Sequence, residues 1–224
     1  MRSKIFLSLM LIVGLAGCSA GMRNSDTLPP VDTSAAQTAP ASLADNPVSD
    51  ASIDNTTTLP NLLRNPAFSQ GNVGFITQYK YVSKINSETQ YTIATDPSKV
   101  SIWGDWVKFG DHTTGKGNML IVNGATRSKV IVWSETVHVK PHTNYTFGFW
   151  GSDVNAHSQS RPVLQASFNG TRSTRLAQFL TTPRWVHYTW TWNSGSSSVV
   201  DISVFDVNTA AAWNDFALDD MSLQ

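Results

Sequence analysis

N-D-F-A-L-D-D-M-S-L, residues 214 to 223, sets apolar residues in loose alternation around two adjacent carboxylates, Asp219 and Asp220. A strand has a period of two, so within a strand these two side chains point to opposite faces of a sheet. One faces water and the other faces inward. An inward carboxylate needs partners, and backbone oxygens with a hard cation such as Ca²⁺ make a satisfied set around it. The stretch therefore reads as the closing strand of a β-sandwich with a candidate metal site at its edge.

Working outward, all eight tryptophans follow residue 60, which places the hydrophobic core in residues 60–224. That length suffices for one domain with a sizeable core. Runs rich in Val, Ile, Thr and aromatics, separated by Gly, Asn, Ser and Pro clusters, predict strands. They fall at 61–68, 78–82, 91–95, 119–123, 129–139, 144–151, 163–169, 175–179, 185–193, 199–207 and 215–223. No long helical period interrupts them. The expectation is an all-β fold, a two-sheet antiparallel β-sandwich of jelly-roll type. In 144–151, Tyr145, Phe147 and Phe149 share the core face, which leaves Trp150 on the opposite face in want of a covering loop or a ligand. Trp133, sharing a strand face with Ile131, raises the same question. The 16 Lys and Arg balance the 16 Asp and Glu. Nucleic-acid binding needs a clustered basic excess, and none is present.

The first residues carry a different message. Arg2 and Lys4 precede an apolar run from Ile5 to Ala16, too short for a membrane span, with small residues before Cys18. This is the pattern of a secretory signal peptide over residues 1–17. The tetrad L-A-G-C at 15–18 resembles the bacterial lipobox, in which the cysteine is diacylated and becomes the first mature residue. The resemblance implies lipidation at Cys18 and a membrane contact through lipid chains. Ser19, where an Asp would favour inner-membrane retention in such lipoproteins, implies an outer-membrane address. Cys18 is the only cysteine, so the domain has no intramolecular disulfide and relies on its core. Residues 19–59 hold no aromatic and four prolines, a composition that cannot offset ordering entropy. Residues 18–59 therefore read as the lipidated cysteine and a disordered tether.

Several segments in order resemble the galactose-binding-like jelly rolls, in particular carbohydrate-binding modules of families 4, 9, 16 and 22. They are N-L-L-R-N-P-A-F-S at 61–69, D-H-T-T-G-K-G-N-M-L-I-V-N-G at 111–124, V-W-S-E-T-V-H-V-K-P-H-T-N-Y-T-F at 132–147, and the stretch at 214–223. The resemblance implies a non-catalytic domain that binds polysaccharide, with a structural Ca²⁺ near the first and last strands. Its ligands here would be Asp219 and an oxygen near Asn65. The chain departs from the family pattern at Ser69, where a common version has Glu, so one charged ligand is missing.

Such modules lay aromatic rings against pyranose C–H faces while amides and carboxylates fix the hydroxyls. Trp103 and Trp106 flank Asp105 in S-I-W-G-D-W-V and precede a glycine-rich loop, which makes them the leading platform. Trp133, Trp150 and Trp213 are second-rank candidates, and Trp185, Trp190 and Trp192 read as core. The alternative is an envelope structural or adhesion lipoprotein that binds a protein partner. A third reading, a jelly-roll lyase or hydrolase, needs paired carboxylates drawn from Asp105, Asp111 and Glu135. No nucleophile elbow, paired acidic motif or metal tetrad supports it.

Overall fold

The computed structural model describes residues 59–224 apart from 158 and 181–183. The signal peptide expected at 1–17, Cys18 and the tether to residue 58 lie outside the described residues. The domain is the expected all-β sandwich. Its strands are β1 (Lys80–Tyr81), β2 (Gln90–Ala94), β3 (Met119–Asn123), β4 (Val130–His138), β5 (Asn144–Asp153), β6 (Val163–Phe168), β7 (Thr171–Gln178), β8 (Val186–Asn193), β9 (Val199–Asp206) and β10 (Asp215–Leu223). A six-stranded sheet runs β1-β2-β3-β10-β5-β8 and a four-stranded sheet β4-β9-β6-β7. Pairing is antiparallel except between the short β1 and β2.

The core follows from alternation along β5. Phe147 and Phe149 are fully buried between the sheets and meet Trp190 of β8 at 5.8 and 5.3 Å between ring centroids. Phe216 and Leu218 of β10 add to the same layer, facing Ile202 and Val204 of β9. A second, smaller cluster lies outside this layer. The segment from Ile85 to Trp106 crosses β3, β10 and the end of β5, so that Ile85, Val100 and Trp106 pack on Met119, Ile121 and Ala217. The six-stranded sheet is thus buried on both faces over part of its width, which explains the continuous apolar run of β3.

Three local expectations are corrected. Residues 61–68 form no strand: the chain turns at Asn65 and Phe68, both in the left-handed region at φ 47° and 51°. It still borders β10, with the Leu62 N–H donating to Leu223 O and the Met221 N–H to Pro66 O. Trp133 is core. A bulge between Ile131 and Trp133 against β9 breaks the shared face, and Trp133, 2% exposed, stacks on Phe147 at 5.9 Å. The strand expected at 175–179 is the end of a longer β7, which closes a hairpin with β6 through Asn169 and Gly170, both at positive φ.

Truncating the two kinds of tryptophan separates these roles. Trp133→Ala should cost about 3–5 kcal/mol in urea unfolding, the scale of a large core side chain. Trp103→Ala, at a side chain 39% exposed, should stay within about 0.5 kcal/mol of the parent.

Candidate functional site

Four of the expected ligand-binding residues converge on one open cavity of about 220 Å³ at an end of the six-stranded sheet. Trp103, Asp105, Trp106 and Trp213 line it together with Glu88, Asn123 and Asp215. Asn123 ends β3 and Asp215 opens β10, and the two residues are register partners. The 103–106 loop is held against the end of β5: the Val107 N–H donates to Val154 O, and the Ala156 N–H to Asp105 O at 2.8 Å. Within that loop the Trp103 N–H donates to Ser101 Oγ. Trp213 closes the opposite wall from a left-handed backbone at φ 61°, which a bulky residue adopts only where its surroundings impose it.

Asp215 is the chemical centre of the cavity. Trp106 Nε1–H donates to its Oδ2 at 3.2 Å, and the Gly124 N–H approaches Oδ1 at 3.4 Å. That approach requires glycine, because a Cβ at position 124 would come within 2.1 Å of Asn214 O. Burial, reinforced by the charges of Asp105 and Asp153, pushes the Asp215 carboxyl up to about 7 despite these donors. Behind the cavity, Asp206 accepts from Tyr79 Oη–H, the Ala125 N–H and Asn214 Nδ2–H, and burial raises it to about 6. These bonds pin the chain on either side of the cavity floor.

Trp150 is not at the cavity. Its ring is sandwiched between His112, at 3.7 Å, and His187, at 4.8 Å, on the outer face of the six-stranded sheet. The covering loop that the sequence left open is therefore 110–118. Trp106 itself is largely buried, so Trp103 and Trp213 offer the accessible indole surface.

Asp219 and Asp220 depart from simple alternation. A register irregularity between Asp219 and Ser222, with Asp220 at φ 45°, turns both carboxylates toward the same loop. Asp219 Oδ2 accepts from the His112 N–H at 2.9 Å, while Asp220 takes His112 Nδ1 at 2.7 Å and Thr113 Oγ1–H at 2.6 Å. Asp219 Oδ1 is buried with no hydrogen-bond partner, as are Asp206 Oδ1 and Asn214 Oδ1, and among the described residues no group of three or more His, Cys, Asp or Glu is arranged to hold an ion. Burial, then the neighbouring Asp220, raises Asp219 to about 6. Asn65 does not fit the same role. Its amide nitrogen donates to Gly71 O and Val73 O and its oxygen accepts from the Gln70 N–H, so the side chain is spent on its own turn.

The carboxylates of the hydrolase reading are kept apart. Asp111 serves a loop turn: against the effect of burial, the Gly117 N–H and the Thr114 hydroxyl and N–H hold it below the usual carboxylate range. Glu135 accepts from Arg64 N–H and Nε–H in a separate hollow that it shares with Ile76 and Thr136. Asp105 alone of the three reaches the cavity. Glu88 and Asp215 were missed by the sequence reading. Asp215 stood beside Trp213, but only the pairing of β3 with β10 brings it to Trp106.

No protein-family model and no curated protein matches the chain. Solved structures do resemble it. One is a family 61 carbohydrate-binding module solved with β-1,4-galactotriose, 17% identical, TM-score 0.50, covering 74% of this chain and 99% of that one. Another is a Stig cyclase from Fischerella sp. TAU, solved with (3Z)-3-(1-methyl-2-pyrrolidinylidene)-3H-indole. It is 12% identical with a TM-score of 0.51, and the match covers 73% of this chain and 95% of that one. The likeness is one of fold, a jelly-roll-like sandwich on which binding modules and enzymes are both built.

The raised carboxyls set a pH dependence. A carboxyl whose folded pKa lies above its unfolded value near ~3.9 stabilises the fold at low pH and loses that contribution as pH rises through the folded value. For Asp206, Asp215 and Asp219 the loss falls between the unfolded value and about 7. His187, depressed by burial and by His112, acts in the opposite sense. Comparing thermal midpoints of the parent and Asp215→Asn from about pH 5 to about pH 8 isolates the cavity residue. The parent should lose more stability than the variant between about pH 5 and about pH 7, and the difference should level off above that.

Proposed function

We propose that the domain is a non-catalytic glycan-binding module on a lipid-anchored bacterial envelope protein. The observation that carries the reading is the convergence of three tryptophans and hydrogen-bonding carboxyls on one open cavity. A platform of this kind binds a sugar by laying its C–H face on indole and fixing its hydroxyls with the polar groups at the rim. Trp103 and Trp213 supply the platform, Asp105 and Glu88 the rim acceptors, and Asp215 the floor. At about 220 Å³ the cavity is smaller than the ~300–1,000 Å³ of drug-sized sites and suits one sugar residue of a longer chain.

Two further parts belong to the same proposal. Cys18 carries the lipid that holds the protein on the outer membrane, and Asp219 holds a structural Ca²⁺ through its free Oδ1. A bound cation there would supply charge compensation for a buried carboxylate and tie the 110–118 loop to β10.

A second reading is favoured by one observation, the Asp215 carboxyl held near neutral pKa beside Asp105, the arrangement expected of a proton donor in catalysis. Both readings are tested by affinity electrophoresis through polysaccharide gels. Retardation that Trp103→Ala reduces at least about tenfold, with the polymer's chain length unchanged after long incubation, supports the binding module. Shortening of the polymer that Asp215→Asn stops supports the enzyme. Loss of retardation in EDTA, restored by Ca²⁺, supports the metal.

The membrane address has its own test. Cys18→Ser should move the protein from the membrane fraction to the soluble fraction of the envelope. Undiminished membrane partition would remove the lipid anchor from the proposal.

A further inference from the structure

The cavity has a charge pattern that a neutral sugar does not use. Its lining holds three carboxyl groups, Glu88, Asp105 and Asp215, against three indoles, with no lysine or arginine among them. The ion pairs among the described residues join Arg64 to Glu135, Lys99 to Asp96 and His112 to Asp220, and none reaches these three. Glu135 takes the backbone and the side chain of Arg64, and Asp206 takes three donors. Asp215 is supplied only by the 3.2 Å bond from Trp106 and the longer approach of Gly124, while Asp105 and Asp153 act on it with like charge. Carboxyl groups are concentrated at the mouth and floor of a hollow walled by indole, and no lysine or arginine is among the residues that line it.

Two kinds of ligand could supply the missing charge. A divalent metal would want additional oxygen or imidazole ligands. Indole provides neither, and Glu88, Asp105 and Asp215 are not arranged as a group that could hold an ion. An organic ammonium is suited to both halves of the site. Its positive charge is attracted to the face of an indole ring and, at short range, to carboxylates in a partly desolvated hollow.

We propose that this cavity recognises a protonated amino group on a sugar, so that the polymer bound is an amino-sugar glycan with free amines, not its N-acetylated or neutral counterpart. The inference rests on the glycan-binding reading and narrows it to a substrate class. Trp103 and Trp213 face the ring, and Asp105, Glu88 and Asp215 surround the ammonium. N-acetylation removes the charge and adds bulk. A neutral sugar brings no counter-charge to Asp105 and Glu88, whereas an ammonium does so and also favours the ionised form of Asp215.

The test is a calorimetric titration of the full chain in detergent at about pH 6, where primary amines carry their proton. The probes are glucosamine hexasaccharide, N-acetylglucosamine hexasaccharide and a neutral β-1,4-galacto-oligosaccharide of similar length. The free-amine oligomer should bind at least about tenfold tighter than the other two, and added salt should narrow the gap. Glu88→Gln combined with Asp105→Asn should abolish the preference in a protein that still unfolds cooperatively. Asp201→Asn, on the four-stranded sheet, should retain it. Equal or tighter binding of the acetylated or neutral oligomer overturns the amine proposal and leaves glycan binding standing. A preference that survives the double variant also overturns it, because the charge would then be read elsewhere. Failure of every saccharide to bind the folded protein overturns both readings.

Discussion

Strand β10 takes ladder hydrogen bonds from β3 on one side and β5 on the other, and this central placement governs what its side chains can reach. Phe216 and Leu218 are delivered to the layer between the sheets, and Ala217 to the outer cluster under Trp106. Asp215 at one end and Asp219 toward the other are buried as a consequence, because both faces of the sheet are covered there. Each must then find donors from segments packed across the sheet. Asp215 draws in Trp106, and Asp219 draws in the backbone of His112 and Thr113.

Those two demands explain the division of the surface into a closed region and an open one. Around Asp219 the 110–118 loop comes down fully, with His112 stacked on Trp150 and hydrogen-bonded to Asp220. The region is covered, and only one carboxylate oxygen stays without a protein partner. Around Asp215 the covering is incomplete. The 103–106 loop contributes one indole to the buried cluster and leaves another exposed, and the 211–213 segment stands across from it. A cavity results because two loops meet over a carboxyl without filling the space between them.

Much of this architecture was legible residue by residue. The Tyr145, Phe147, Phe149 alternation placed β5 and oriented its core face. The apolar run of β3 and the spacing of turn residues bounded most strands, because a strand's period and its flanking turns are local properties. The pairing of Trp103 and Trp106 around Asp105 marked the loop that lines the cavity. Where local pattern misled, a bulge or a left-handed residue intervened. Ile131 and Trp133 look like same-face neighbours, and the bulge between them sends Trp133 into the core. Asp219 and Asp220 look like opposite-face neighbours, and the irregularity after Asp219 turns both to one loop.

From the amino-acid order alone come the all-β class, the core face of β5 and the concentration of tryptophan in residues 60–224. Each depends on short-range periodicity and composition, which a chain carries before it folds. Only the tertiary structure decided which tryptophans are walls and which are core, that Glu88 and Asp215 join Trp103, Asp105, Trp106 and Trp213, and that Asn65 spends its amide on its own turn. Those outcomes depend on contacts between residues far apart in the chain, such as Trp106 with Asp215 across 109 positions. No local pattern records such a distance, because the β3–β10–β5 pairing that closes it exists only in the folded sheet.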